Sequence, residues 1–386
     1  MKQTQLLRDE EIPLGDLCEI VIGKTPSRKN LDNFGEDYIW VSIGDMNAKY
    51  IEDSKEKLTA KGVKESNARL VPVGTLLLSF KLSLGKVAIT RKPLYTNEAI
   101  AALIPKRRIN VEYLYYCLKQ INLSTYARKA VKGLCLNKRI LSRIKIKLVP
   151  TKTQDKIVSI LKNAEKLKQW RKEADELTDD YLHSVFLELF GSPVKNDRHW
   201  ETITLKEISE FYSGKAWKNE ELSDQGVRIV RISNLHKKNF PFWHYPGEII
   251  EKYSVSDGDL LFSWAGVEKS IDAYIYGGEK ALLNQHIYNI KIVNSEFPKL
   301  FVYWVLRLFL RYLRSQLGGG VGQFHLKKST IENIRIINPP LELTRKFVLI
   351  VEATDEIRKK QIESKKQIGA LHNVLMQKAF GGELVC

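Results

Sequence analysis

At 386 residues, with 44% hydrophobic and 28% charged side chains, the chain is too long for one ordinary core and has the make-up of a globular protein of two domains. Its formal net charge of +17 points to an acidic partner, and four scattered cysteines (Cys18, Cys117, Cys135, Cys386) with no CxxC pair argue against a disulfide framework or structural zinc. The stretch from Met1 to Glu11 is polar, unlike a secretory leader. The longest apolar run, Leu300 to Leu313, is broken by Arg307 and Arg311 and is shorter than the roughly 20 residues of a membrane span, so the expected location is cytoplasmic.

In chain order, a first lobe opens with a strand-like or short helical segment, Ile12 to Gly23, closed by a turn glycine. Strand-like runs follow at Tyr38 to Ile43, Leu76 to Phe80 and Val87 to Thr90, then an aromatic helical stretch, Val111 to Gln120. A long helix comes next and stops at Phe190-Gly191-Ser192-Pro193, where glycine past the end and proline soon after act as terminators. Residues 192–202 link to a second lobe with the same order: Ile203 to Gly214, Val227 to Ile232, Leu260 to Trp264, Asp272 to Tyr276 and Lys299 to Leu313. A second long helix closes at Phe380-Gly381-Gly382. Strands and helices without regular βαβ alternation predict an α+β lobe.

The chain therefore repeats itself. Val131, Leu134, Leu136, Leu141, Ile144, Lys145, Ile146 and Pro150 match Val321, Phe324, Leu326, Ile331, Ile334, Arg335, Ile336 and Pro340 at one offset of 190 residues. Earlier matches drift as loops of different length require: Gly23-Lys24 with Gly214-Lys215, and Val71, Gly74, Leu76, Leu77 and Ser79 with Val255, Gly258, Leu260, Leu261 and Ser263. A repeat of this length is a duplicated domain, and two like lobes approximate a two-fold axis, which suits duplex DNA. The expected domains are 1–150, 151–191, 192–340 and 341–386, that is lobe, helix, lobe, helix. The lobes hold the charge: residues 1–150 carry 27 Lys+Arg against 15 Asp+Glu, and residues 192–340 carry 20 against 16. Such an excess fits phosphate neutralisation or, equally, a solubility surface.

The helices carry a heptad seam, in steps of four and three: Ile350, Thr354, Ile357, Gln361, Ser364, Ile368, Leu371, Leu375, and in the first half Ile160, Ala164, Leu167, Arg171, Ala174, Thr178, Tyr181, Val185. Pairing is expected through Ile160, Ala164, Leu167, Ala174, Tyr181 and Val185 against Ile350, Ile357, Ser364, Ile368, Leu371 and Leu375. At about 1.5 Å per residue, Ile157 to Phe190 is long enough to hold two lobes a DNA turn or more apart.

No active site is specified. Asn338-Pro339-Pro340-Leu341 looks like the Asn-Pro-Pro-aromatic motif of adenine methyltransferases, but Leu341 cannot stack on a flipped base, so a junction into a helix is expected. Asp257, Asp259, Glu268 and Lys269 suggest a metal-dependent nuclease only weakly, because adjacent Glu and Lys on a strand point to opposite faces. No metal, cofactor or catalytic residue is expected on this chain.

Taken in order and twice over, the lobe-to-helix junctions resemble the DNA specificity subunit of type I restriction-modification systems. The second junction reads Gly318-Gly319-Gly320-Val321-Gly322-Gln323-Phe324-His325-Leu326, then Leu326 to Ile337, then Asn338-Pro339-Pro340; the first runs from Val131-Lys132-Gly133-Leu134 to Val149-Pro150. Gly23-Lys24-Thr25-Pro26, the strand Val255 to Ser263 and His199-Trp200 complete the likeness, with departures at Thr75, Val149-Pro150 and Thr344. The resemblance implies an α+β protein of two pseudo-symmetric globular target-recognition domains separated by two long antiparallel coiled-coil helices. It also implies a sequence-specific, non-catalytic subunit whose partners are double-stranded DNA with a bipartite target, modification (methyltransferase) subunits and restriction subunits, with S-adenosylmethionine and Mg/ATP belonging to those partners. A metal-dependent nuclease and a basic protein-binding scaffold are the alternatives.

Candidate DNA contacts are polar and basic side chains on loops flanking the strands, since Arg and Lys pair with guanine or grip phosphate and Asn and Gln pair with adenine. In the first lobe these are Lys24, Ser27, Arg28, Lys29, Asn30, Asp45, Asn47, Lys81 and Lys86. In the second they are Lys215, Trp217, Lys218, Asn219, Arg231, Asn234, His236, Lys237, Lys238, Lys269 and Gln323. Lys24 with Lys215, Asp45 with Asn234 and Asn47 with His236 fall at equivalent positions.

Overall fold

The structure, a computed structural model, describes residues 10–107, 109–126, 128–130, 133–237, 240–267, 270–316, 323–381 and 383–384. Two units divide the chain: Met1–Lys172 with Glu363–Cys386, and Glu173–Ile362. Each contains a lobe, the start of one long helix and the end of the other.

In the first unit, Glu10–Pro13 pairs antiparallel with Lys145–Leu148 and ties the two ends of the lobe together. A five-stranded sheet has the order Cys18–Ile22, Ile100–Pro105, Leu76–Ser79, Val87–Thr90, Tyr50–Ile51. A smaller sheet has the order Phe34–Gly35, Glu56–Leu58, Tyr38–Val41, Tyr95–Thr96. Leu76 to Leu78 read as an unbroken apolar run because the strand is covered on both faces: Leu76 and Leu78 join one core, Leu77 a second. The helix Val111–Gln120 lies in the first of these cores. It starts where the Asn110 side chain accepts from the backbone N–H groups of Glu112 and Tyr113, at 2.9 and 3.2 Å.

The second unit repeats this plan. Glu201–Thr204 pairs with Arg335–Asn338; one sheet has the order Ser209–Ser213, Ile287–Ile292, Leu260–Ser263, Ala273–Ile275, and another the order Trp243–Tyr245, Val227–Val230, Ala281–Leu283, Ser254–Val255. Leu260 and Phe262 again face one core and Leu261 the other. Gly74 and Gly258 both adopt left-handed φ (75° and 78°), and their N–H groups donate to Thr90 and Tyr276 carbonyls at 2.9 and 2.8 Å. The lobes differ in the fifth strand that Tyr50–Ile51 adds to the first and in a ribbon: Arg128–Ala130 pairs locally with Gly133–Cys135, whereas Ala265–Val267 pairs with the distant Gln323–His325.

The long helices span Thr151–Phe190 and Leu341–Gly381, the second starting directly after Pro339-Pro340. Gly191 ends the first with φ at 70°. Each lobe core is completed by the start of one helix and the end of the other. The first contains Ile157, Val158 and Leu161 with Met376 and Ala379; the second contains Phe347 and Val351 with Leu182, Phe186 and Phe190. Phe186 and Phe190 lie 4.9 Å apart and reach Phe347 at 5.3 and 5.7 Å. Within the second unit the helices run antiparallel: Gln361 donates to Thr178 at 2.9 Å, Arg358 pairs with Asp179, and Phe347 meets Phe186.

Of the expected pairing positions, Ala164 is buried, and Ile160, Ala174, Val185, Ile350, Ser364, Ile368 and Leu375 are half-buried. Leu167 (39%), Tyr181 (53%), Ile357 (53%) and Leu371 (46%) are exposed. Burial follows Ile157, Leu161 and Ala164, then Leu182, Phe186 and Phe190, a stripe turned toward the lobes as well as the other helix. The heptad shows which residues are apolar, but packing on a lobe moves the buried line by one position.

Among the described residues no helix is long and apolar enough to cross a membrane. Cys18 and Cys117 are free and buried, and burial pushes both thiols up to about 12, which leaves them inert.

Candidate nucleic-acid interface

Both lobes present loops that leave the same strand ends. Gly23 and Gly214 begin the first loop in each lobe, and a Cβ at either would stand 2.2 Å from a backbone oxygen, of Thr96 and Asn97 or of Asn284. The next N–H groups, of Lys24 and Lys215, donate to Thr96 and Leu283 carbonyls at 2.8 and 3.0 Å. Lys24 and Lys215 thus share a backbone task while their side chains diverge. Lys24 is exposed, whereas Lys215 pairs with Glu221 and lies 4.7 Å over the Trp217 ring.

Several candidates are engaged in the fold. Arg28 makes a two-pronged bond to Glu56, 2.8 Å on each side, between the rings of Phe34 and Trp40; that hydrogen bond raises the guanidinium pKa and holds the Glu56 carboxyl below its usual range. The Asn30 side chain accepts from Asp32 N–H and donates to Glu65. Asp45 accepts from the Ser42 N–H at 2.8 Å, the Ser42 hydroxyl at 2.7 Å and the Lys55 N–H at 3.1 Å. Asn234 does the same work in the second lobe, accepting from Arg231 N–H at 2.9 Å and donating to the Phe240 carbonyl at 2.8 Å. The repeat of Asp45 and Asn234 is therefore explained by capping a short helical turn. Trp217 is a core residue, donating from Nε1 to the Leu283 carbonyl at 3.1 Å. Arg231 stacks on Trp243 at 4.2 Å and donates to the Pro241 carbonyl.

Other candidates are brought together and remain accessible. Lys86 donates to the Ile43 carbonyl and to Asn47, both at 3.1 Å, joining the loop at 42–47 to the one at 80–86. His236, the counterpart of Asn47, contacts the Tyr274 hydroxyl at 2.8 Å. Ser27, Lys29, Lys218, Asn219 and Lys237 are exposed and Lys81 is half-exposed. Among the described residues the side chains of Lys24, Lys29, Lys81 and Lys237 have no carboxylate partner, and Lys218, whose N–H donates to Glu221 at 3.0 Å, forms no side-chain ion pair. Lys238 and Lys269 lie outside the described residues, as does the side chain of Gln323.

The acidic group weighed for a nuclease is otherwise occupied. Asp259 accepts from Ser256 N–H at 2.9 Å, Asn289 at 2.8 Å and Lys291 at 2.5 Å. Burial raises its pKa, but these bonds outweigh it and the net shift is downward. Asp257 accepts from Gly278 N–H at 3.2 Å, and Glu268 lies outside the described residues.

One cluster escaped the sequence reading. At the foot of the second lobe's ribbon, Trp264 stacks on Tyr288 (centroids 6.0 Å apart, planes at 25°) and meets His286 and His325 edge-on at 5.2 and 5.9 Å, the two imidazoles being 6.5 Å apart. Aligning the repeats would have exposed it, because Trp264 and His286 occupy the places of Phe80 and Ala99.

The sequence model of the type I restriction modification DNA specificity domain matches this chain twice, over residues 9–177 and 197–368. The chain belongs to that family. It is similar to the type I restriction enzyme MjaIX specificity subunit of Methanocaldococcus jannaschii, 29% identical over 96% of this chain and 92% of that one. It is also similar to the HindI specificity subunit of Haemophilus influenzae, 33% identical over 38% of this chain and 34% of that one. Its fold is that of a chain from a structure of the assembly of a type I restriction-modification system (TM-score 0.63, 15% identity, 98% of this chain and 100% of that one). The same holds for the crystal structure of the specificity subunit from M. genitalium (TM-score 0.55, 15% identity, 98% of each chain). The protein is accordingly an α+β, non-catalytic, sequence-specific DNA-recognition subunit with two recognition domains and two long helices.

Proposed function

We propose that each lobe reads one half of a bipartite duplex target through the major groove, and that the long helices set the number of unread base pairs between the halves. In this reading the recognition domains are residues 1–150 and 192–340 and the spacers 151–191 and 341–386. Modification subunits that bring S-adenosylmethionine, and restriction subunits that use Mg/ATP, join the chain in the cytoplasm and methylate adenine or cut. In this reading Lys24, Lys29, Lys81, Lys218 and Lys237 grip phosphate, while Ser27, Asn47, Lys86, Asn219 and His236 approach base edges. Lys238, Lys269 and Gln323 join this set by sequence.

The observation that carries the reading is the duplication itself: one scaffold of paired sheets, built twice on one chain, offers equivalent loops to two equivalent half-sites. Profiling methylated adenines in cells with and without the gene tests it. One bipartite motif should vanish with the gene; loss of no motif, or of a motif with a single undivided half, overturns the proposal. Deleting whole heptads from one helix should change the tolerated spacing and leave both half-sites intact.

A further inference from the structure

The two lobes build the foot of the ribbon on the same backbone bonds. Phe80 N–H donates to the Ala99 carbonyl at 3.0 Å and its own carbonyl accepts from Leu136 N–H at 2.9 Å; in the second lobe Trp264 N–H donates to the His286 carbonyl at 3.2 Å and its carbonyl accepts from Leu326 N–H at 2.9 Å. Onto this shared frame the first lobe sets a buried phenylalanine and an alanine, which complete its core. The second sets an indole and an imidazole, half-exposed, with the exposed imidazole of His325 beside them. Trp264 still packs against its lobe's core, as Phe80 does, but the imidazoles of His286 and His325 add polar ring nitrogens that the alanine at the place of His286 lacks.

The array is rigid. The Trp264 indole N–H donates to the Gln285 carbonyl at 3.2 Å while its face lies on Tyr288, so both imidazoles rest against a fixed ring. The Gln285 amide nitrogen lies 3.3 Å from His286 Nε2, a contact that suits the tautomer with its N–H on Nδ1. Burial, with the neighbouring His325, lowers the His286 pKa, in keeping with a neutral ring. Among the described residues the His325 imidazole makes ring contacts and no hydrogen bond, while its backbone pairs with Ala265. A neutral imidazole offers one donor and one acceptor, and a donor suits purine N7, the acceptor both purines show in the major groove. The ribbon rising from this foot, Ala265–Val267 with Gln323–His325, is two-stranded, an element of the width that groove admits.

We propose that His286 and His325, held on Trp264, read base edges in the second half-site, with Trp264 as the positioning residue. This rests on the reading of the lobes as half-site readers, and it predicts an asymmetry, because the first lobe has no such group at the equivalent place. The test uses the full chain, as wild type, His286→Ala and His325→Ala, each incubated with a randomised duplex library whose bound fraction is sequenced. Alanine is what the first lobe carries at the place of His286, and unchanged melting at about pH 8, where the imidazoles are neutral folded or unfolded, verifies the fold of both variants. The variants should lose about tenfold of the preference at one or two adjacent positions of the second half-site, as expected when a base-edge hydrogen bond is removed, and keep the first half-site unchanged. Unchanged preference at every position, or an equal weakening on all sequences as a phosphate grip would give, overturns the proposal. A wild-type chain that selects no divided motif brings down the half-site reading, and this inference with it.

Discussion

The lobes share a frame and part company on its surface, and the comparison separates what folding needs from what recognition needs. The glycines at 23 and 214, the left-handed glycines at 74 and 258 and the capping side chains at Asp45 and Asn234 keep the same bonds in both lobes. Where those bonds stay and a buried alanine gives way to a half-exposed imidazole, as from Ala99 to His286, packing alone no longer explains the choice. Equivalence in a repeat is thus evidence of structure first: Asp45 and Asn234 match because both cap a turn.

The lobe cores offer the hardest test of this pairing. Phe190 is fully buried among Phe186, Phe301 and Phe347, while its repeat counterpart Phe380 is half-buried against Tyr113. Phe190→Ala should cost about 3–5 kcal/mol in urea unfolding and Phe380→Ala distinctly less, because less is lost where less was buried. Equal losses would mean that the two helix ends are anchored alike.

Next come the strand-start residues Asp259 and Thr75, which occupy equivalent places. Asp259→Ala should cost about 2–3 kcal/mol, since it strips a charged acceptor from Ser256, Asn289 and Lys291. Because the folded state lowers its pKa, its contribution is present above the unfolded value of about 3.9 and is lost as pH falls through the folded value. The acid limb of stability should therefore flatten in this variant and not in Thr75→Ala.

The exposed lysines without an ion pair sharpen the comparison by binding. Removing Lys24 or Lys29 in the first lobe, or Lys218 or Lys237 in the second, should weaken all duplexes alike. Each should reduce the slope of log affinity against log salt by about 0.9 for every phosphate left without its cation. A wild-type affinity with no steep salt dependence would instead favour a basic scaffold that binds an acidic protein.

The smallest effect concerns histidine. Burial, the largest cause in each case, lowers the pKa of His183 and His286 in the second unit and His372 in the first, aided by Arg311, His325 and Lys168 respectively. A depressed imidazole favours the fold while neutral, so its contribution is present above the unfolded value of about 6.5 and lost as pH falls through the folded one. Melting temperature should drop as pH falls through about 6.5 toward the lower folded values, and His286→Ala should shrink that drop.

Much of this was legible in the linear code. The duplication, the helix ends at Phe190-Gly191 and Phe380-Gly381 and the strands Leu76–Ser79 and Leu260–Ser263 follow from local chemistry, because a glycine terminator or an apolar run acts within a few residues. The candidate loops were legible by position, but their spare hydrogen-bonding capacity was not. Whether Arg28 is free depends on Glu56, and whether Trp217 is exposed depends on the Leu283 carbonyl.

The sequence by itself determined that one domain was built twice, that its lobes carry the positive charge and that two helices follow them. Only the tertiary structure decided which face of each helix is buried, how Ala265–Val267 reaches Gln323–His325, and that two imidazoles meet over Trp264. The reason is range: periodicity and turn chemistry act between neighbours along the chain, whereas burial and ribbon pairing join residues whose separation in sequence carries no signal that they will meet.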